Sequence, residues 1–423
     1  MFQRRIPDLL RHTPTPSARG FAVLAGTEAV TRGMLISVFP IVMYRAYRDS
    51  SLVSEIYFAI GLFSMVWGLL VPWLVRFVPR RWLYTAGALS YVMSAGLIVF
   101  GEGQLVAAAL ALNMAATVTV FVCFNAYVLD YVASADLGRC ETLRLFYSAA
   151  SWTIGPAGGV WLLQLWEPAP FLVAGSSAVI LLGIFWWMRL GNGKLITRAR
   201  APTPNPLAYL GRFFAQPRLV VGWLFAVFRS CGWWAYVVYV PVFAIENGLG
   251  ENVGGVVLSM SNAMLFLTPV MLKWVERRSV RAAVRTGFLC SAVAFMIAGT
   301  VAHWPWATVL FLILGSAFLV LLDIVAGLPF LMSVKPSERT EMSAVYSSFR
   351  DVSGIVSPGL AWLVLLVLPI SGVFAATGLS LLGCWMMAGR LNPRLGWRMS
   401  RKKPGLAVGA SEAPTPATSV QES

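Results

Sequence analysis

Apolar residues along the chain gather into twelve blocks separated by short polar and basic segments. The blocks run 20–44, 54–75, 82–101, 104–132, 145–166, 170–189, 218–245, 253–273, 283–302, 304–333, 343–367 and 370–389. At about 1.5 Å per residue, each is long enough to cross a hydrocarbon layer roughly 30 Å thick. None shows the alternating ten-residue pattern of a membrane barrel strand. Backbone in lipid must satisfy its own hydrogen bonds, so every block predicts a helix. The pattern therefore predicts an all-α polytopic membrane protein with twelve transmembrane helices.

Composition agrees. Of 423 residues, 58% are hydrophobic and only 12% charged, against about 25% charged in a soluble domain. The net charge of +15 would suit a nucleic-acid partner, but the cations sit in the loops, so no such partner is expected. With the N-terminus placed inside, Arg32, Arg229 and Arg350 fall within spans and only Arg45 and Arg48 fall between spans on the outer side. All other Lys and Arg lie inside, which puts both termini in the cytoplasm. Five cysteines show no CxxC or other metal spacing, so they read as reduced packing residues, with no metal or cofactor. The first 18 residues are polar and proline-bearing, so no cleavable signal peptide is expected.

The longest inner loop divides the chain. The expected organisation is a tail over 1–19, a six-helix half over 20–189, a linker over 190–217, a second half over 218–389, and a tail over 390–423 that is basic and then disordered. The halves repeat. Phe77-Val78-Pro79-Arg80-Arg81 matches Trp274-Val275-Glu276-Arg277-Arg278, and Arg139-Cys140-Glu141 matches Arg339-Thr340-Glu341. Pro40 matches Pro241, and Pro156 matches Pro358. All share nearly one offset, which implies two parallel repeats able to rock about a central site. The repeated Arg139, Glu141, Arg339 and Glu341 read as a paired structural latch.

Two halves of six spans, a long basic central loop and Arg-Arg in the loops after spans 2 and 8 resemble the major facilitator superfamily over roughly residues 20–389. That family's loop signature reads approximately G-x-x-x-D-R-x-G-R-[RK]. Here Arg76 and Arg80 match its basic positions, while Val75 stands for the acidic residue and Val78 for the second glycine. The resemblance implies an inner-side latch to the acidic residue at the end of span 4, hence Arg76–Asp130 or Arg80–Asp130, with Arg277 in the equivalent loop of the second half. Gly155-Pro156-Ala157-Gly158-Gly159 resembles the glycine–proline motif of the family's proton-coupled exporters, one residue short. Gly155, Pro156, Gly159 and Pro358 are then hinge positions, or else parts of a merely well-packed, kinked helix.

Ionised side chains in a membrane cost roughly 2.5–3.5 kcal/mol each even on insertion scales, so each needs a reason. Glu28, Arg229, Asp323 and Arg32 lie ~13 to ~20 Å into spans 1, 7 and 10, near the midplane. Arg350 and Asp351 lie ~10–12 Å into span 11. Arg229, Trp233 and Tyr236 share one face of span 7 and suggest an aromatic floor for a planar ligand. These groups read either as a substrate and proton pathway or as fixed ion pairs that set the packing of the halves. Arg350 and Asp351 read as an interdomain pair. In the pathway reading, Glu28 or Asp323 gains and loses a proton as its pairing with Arg229 or Arg32 breaks and forms.

The function this predicts is secondary active transport by alternating access: proton-coupled export of amphipathic or aromatic small molecules, with import of an organic anion as the alternative. A membrane enzyme or sensor is the reading of another class. Against an enzyme, His12 and His303 are the only histidines, and no nucleophile–base pair, GxSxG or phosphate loop is present. Expected partners are the small-molecule substrate, protons and the bilayer, with the monomer as the functional unit. Arg outnumbers Lys 28 to 5, a bias that points to a bacterial inner membrane.

Overall fold

The computed structural model describes residues 18–101, 105–132, 137–188, 206–334 and 339–391. The N-terminal tail and most of the tail over 390–423 lie outside the described residues, as does 190–205 of the linker.

The first half contains α1 (Ala18–Tyr47), α2 (Ser50–Leu74), α3 (Arg80–Phe100), α4 (Leu105–Tyr131), α5 (Leu137–Leu165) and α6 (Ala169–Trp187). A short helix, α7 (Pro206–Phe214), follows. The second half contains α8 (Pro217–Glu246), α9 (Glu251–Ala263), α10 (Thr268–Arg277), α11 (Val280–Thr300), α12 (Pro305–Val325), α13 (Leu328–Ser333), α14 (Arg339–Tyr346), α15 (Phe349–Leu365) and α16 (Ile370–Ala388).

Among the described residues, ten stretches are long and apolar enough to cross a membrane. The other two of the predicted twelve are α5, which carries Arg139, Glu141 and Arg144 in its first turns, and the α14–α15 pair. Both pack as full members of the bundle, α5 against α1 and α15 against α2 and α8.

Three predicted spans are interrupted. Span 8 passes through a 3-10 turn at Met264–Leu267 between α9 and α10. Span 10 breaks after Val325 where Gly327 and Pro329 precede and open α13. Span 11 breaks at Ser347-Ser348, directly before Phe349 and Arg350. In each case Gly, Pro or Ser makes helix continuation unfavourable. Span 5 begins eight residues earlier than predicted, because a helix tolerates the polar residues that end a hydropathy block. The predicted linker contains α7, whose Phe213 is fully buried against Leu219, Phe330, Met342 and Val345.

Packing between the halves follows the repeat. Helix α2 packs on α15, and α5 packs on α9; these are the same two contacts exchanged by the pseudo-twofold. Towards the outer end, one buried apolar cluster runs through both halves, joining Val42, Val53 and Tyr57 to Tyr239, Val240 and Phe243. Towards the basic end the core splits. Phe21, Tyr84, Phe124 and Phe185 belong to the first half alone, and Phe213, Phe330 and Met342 to the second. The halves are thus fused outside and separate inside.

Glycines set the closest approaches. A Cβ on Gly61 would meet the Gly354 carbonyl oxygen at 2.5 Å, across the halves. A Cβ on Gly155 would meet the Gly33 carbonyl carbon at 2.7 Å, within the first half. Backbone has no rotamer by which to retreat. Gly155→Val is expected to lower stability by about 1–3 kcal/mol through overpacking. Gly158→Val, three residues on and open to space, should change it by less than about 0.5 kcal/mol. Thermal unfolding of the two variants in detergent checks the contrast; equal midpoints would remove the close approach as a constraint.

Candidate functional site

Helix α1 carries its acid and base one turn apart, and the structure joins them: Arg32 Nη1 lies 3.6 Å from Glu28 Oε1. Glu28 is buried, with 11% of its side chain exposed against 35% for Arg32. Tyr91 of α3 places its hydroxyl 3.5 Å from Glu28 Oε1 and donates to Thr117 Oγ1 at 2.9 Å. Thr117 in turn donates to the Asn113 carbonyl. The Tyr91 proton can serve only one acceptor at a time, so when it goes to Thr117 the Tyr91 oxygen can accept from a protonated Glu28. The Arg32 guanidinium lies over the Trp152 ring of α5, 5.4 Å from its centroid.

The second half repeats the pairing with different geometry. Arg229 Nη1 of α8 lies 3.1 Å from Asp323 Oδ1 of α12. Trp233 Nε1 donates to Asp323 Oδ2 at 3.1 Å, and Arg229 Nη2 to Ser230 Oγ at 3.2 Å. Arg229 Nε is buried without a hydrogen-bond partner. The Arg229 guanidinium faces Phe349, and so does that of Arg350, at 5.3 and 5.7 Å. Arg350 also reaches across the halves to Phe121 of α4, at 5.4 Å.

Glu28 and Arg229 therefore do not pair with each other; each acid is held by a base of its own half. Trp233 stays with the charges. Tyr236 leaves the predicted floor: it is fully buried, and its hydroxyl shares a hydrogen bond of 2.6 Å with Ser261 inside the second half. Arg350 and Asp351 are both exposed and not bonded to each other as an ion pair, since successive residues point about 100° apart around a helix.

Of the two latch pairs, the structure bonds Arg80 Nη1 to Asp130 Oδ2, with the guanidinium 5.3 Å over Tyr127. This contact joins α3 to α4 inside the first half and does not bridge the halves. Arg76, Arg139 and Arg277 are exposed. Glu141 pairs with Arg144 at 2.5 Å. The side chains of Arg339 and Glu341 lie outside the described residues.

The hinge positions work at a junction. Gly155 and Gly159 face the α1 backbone at Gly33 and Met34, while Pro156 and Val160 touch Gly255 of α9. The Ala157 amide donates to Ser259 Oγ at 3.0 Å across the halves. Pro358 is buried in α15, and beside it Ser357 donates to the Cys231 carbonyl of α8 while a Cβ on Gly359 would meet Phe58 of α2.

Several groups go beyond what the sequence picks out. Arg144, assigned to a loop, lies in α5 with its guanidinium 4.5 Å from the Phe124 ring centre, and its charge reaches Glu28. Arg45, one of the two outer cations, closes the outer end. Its Nε donates to Glu251 Oε1 at 2.6 Å, its Nη2 to Glu251 Oε2, and its Nη1 to Glu167 at 3.3 Å. Tyr239 donates to Ser54 at 2.8 Å in the same region, again across the halves. The concentration of acids in the outer loops beside only two arginines was the available signal.

Known proteins agree with this architecture. No curated protein matches the chain by sequence. Among solved structures, a mutant form of the nucleoside transporter NupG superposes with a TM-score of 0.68 at 13% identity, covering 88% of this chain and 100% of that one. A POT family peptide transporter in an auto-inhibited form superposes with a TM-score of 0.65 at 14% identity, over 94% and 99%. A second POT family structure, with a bound thioalcohol-conjugated peptide, gives 0.66 at 13%, over 87% and 95%. These likenesses concern the fold. The family model described as Major Facilitator Superfamily matches residues 21–358, and with its two helical halves meeting over a charged midplane the chain belongs to that superfamily of secondary transporters.

Proposed function

We propose that this transporter exports amphipathic, aromatic small molecules in exchange for protons, and that Glu28–Arg32 and Arg229–Asp323 couple the two flows. The observation that carries this reading is the pair of acid–base contacts, one in each half, 3.6 and 3.1 Å long. A carboxylate held by an arginine favours its charged form; the same carboxylate without its partner and out of water favours its neutral form. Each pair lies inside one half, so rocking of the halves acts by changing the water and the opposing charges around it. That shifts the balance between these two conditions, and proton uptake and release follow the conformation. Asp323, with 32% of its side chain exposed, is the more accessible acid in the state seen here. Trp152, Phe121 and Phe349, beside the arginines, provide walls for a planar body.

The basic end faces the cytoplasm by the distribution of Lys and Arg, so the state seen here opens inward. We place the chain in a bacterial cytoplasmic membrane, acting as a monomer.

Proteoliposomes test the coupling. An imposed pH gradient should drive uphill movement of an aromatic substrate, with counterflow of protons. Glu28→Gln and Asp323→Asn should each slow gradient-driven transport at least about tenfold, the lower end of what a positioned proton-transfer group contributes, while leaving downhill exchange. A Gln variant whose transport keeps the pH dependence of the native chain removes Glu28 from this role.

A further inference from the structure

Arginines outnumber carboxylate partners in the space between the halves. Arg32 has Glu28, Arg229 has Asp323 and Arg144 has Glu141. Arg350 has no carboxylate within ion-pair distance among the described residues. It is exposed, and its guanidinium lies between Phe349 of its own helix and Phe121 of the other half. The charges of Arg32, Arg229 and Arg144 all act on it, opposed in part by that of Asp351. Asp351 is its sequence neighbour, but the turn of the helix directs the two side chains apart. Like charges gathered between low-dielectric walls focus a positive potential that concentrates an anion.

We infer that the transported molecule is a small organic anion with an apolar or aromatic body, bound by Arg350 with Arg32 and Arg229 beside it. The proposal rests on the transport reading above and specifies its substrate class. A guanidinium presents a planar fork of donors that suits a carboxylate or phosphate, and such charge-assisted bonds are the strong ones. Phe121, Phe349 and Trp152 lie against the three guanidiniums and would flank the ligand's apolar part. The buried Arg229 Nε without a partner is a further donor on this cluster.

The arrangement also gives the anion a mechanical part. Arg32 belongs to the first half, Arg229 and Arg350 to the second, and their mutual repulsion opposes closure of the inner side. An anion bound among them removes that repulsion. Binding would then favour the state in which the halves approach inside, which is the step alternating access requires of a substrate.

Binding to the full-length chain in detergent tests the proposal at constant pH and ionic strength, with no gradient present. The probes are benzoate, phenyl phosphate and citrate, with benzamide and benzylamine as the neutral and cationic counterparts of benzoate. At least one anion should raise the unfolding temperature where its neutral or cationic counterpart does not. Arg350→Gln should weaken its Kd about tenfold or more, the effect of losing one charged hydrogen bond, and Arg350→Lys should recover part. Arg81→Gln, at an exposed position away from the cavity, should change nothing. The proposal is overturned if no anion stabilises the chain up to millimolar concentration, if benzamide or benzylamine does so equally, or if Arg350→Gln keeps the native affinity. Because no gradient is applied, such failure leaves proton coupling standing, whereas loss of coupling with anion binding intact would count against the transport mechanism alone.

Discussion

Asp323→Ala is expected to destabilise the chain by about 3 kcal/mol, the low end of what is lost when one partner of a buried ion pair is removed. The low end applies because Asp323 keeps 32% of its side chain exposed, whereas Arg229 keeps 15%. The cost falls mainly on Arg229. Its Nε is already without a partner and its Nη2 has only the neighbouring serine. Loss of the carboxylate would leave a largely buried guanidinium with one neutral acceptor and the face of Phe349. Trp233 would lose the acceptor of its indole N–H as well. The double variant Arg229→Met/Asp323→Leu removes both charges and should recover most of the stability, since well-packed apolar replacements of buried pairs are often neutral. It should still fail to transport. Thermal unfolding of the single and double variants, alongside flux, separates the structural share of the pair from its part in coupling. A stable single variant would mean that solvent from the inner side already screens Arg229.

The likeness of the two halves explains why so much of the architecture was legible in the sequence. Hydropathy blocks mark a backbone that has to close its own hydrogen bonds, and that constraint has few solutions. Pro40 and Pro241, or Pro156 and Pro358, mark the same places in both repeats and fall inside the helices expected of them. The helix breaks were less legible. Ser347-Ser348 and Gly327 sit inside apolar runs, and hydropathy does not register a change of backbone path. Helix α7 was missed for the opposite reason: nine residues with one buried face look like linker until Phe213 has the α8, α13 and α14 surface to pack on.

For the site, sequence reasoning found the residues better than their partners. Glu28 with Arg32 follows from helical spacing alone. Arg229 with Asp323 needs the packing of α8 on α12, which no periodicity contains. Tyr236 was assigned by spacing to the face of Arg229, yet α8 is buried on several sides at once, and its hydroxyl finds Ser261 of α9. A fully surrounded helix has no single polar face for the spacing to reveal. Arg144 was hidden by the assumption that a charged residue next to a block edge belongs to a loop.

In the proposed mechanism the two acid–base pairs and the outer clamp would divide the work of alternating access between them. Each midplane pair lies inside one half and can persist as the halves move. The outer contacts lie between halves and must break. Arg45 to Glu251, Tyr239 to Ser54 and Asn262 to the Trp152 carbonyl all cross the interface, and all but the last sit near the outer end. Opening that end therefore means giving up hydrogen bonds that the separate inner ends do not hold.

Arg45→Ala is accordingly expected to shift the chain towards an outward-open state by at least about tenfold. The arginine meets Glu251 through two nitrogens, and hydrogen bonds to charged groups contribute about 1.5–3 kcal/mol, where 1.4 kcal/mol is tenfold in a population. Side-chain exposures of 31% for Arg45 and 18% for Glu251 keep the pair partly shielded from water and salt. Glu167, 68% exposed, should add little, so Glu167→Gln is expected to stay near the native equilibrium. Ser54→Cys is the reporter, because Ser54 is fully buried beneath the clamp and bonded to Tyr239. A membrane-impermeant maleimide added from outside should label it at least about tenfold faster when Arg45 is alanine. The exchange Arg45→Glu/Glu251→Arg should slow labelling again, since it restores opposite charges across the same gap. Labelling that is unchanged in Arg45→Ala would show that apolar packing of Val42, Tyr57 and Phe243 closes the outer end without the ion pair. Labelling that stays fast in the exchanged variant would show that the first turn of α9 requires a carboxylate at its N-terminus, where the helix dipole favours negative charge, and not merely a partner for residue 45.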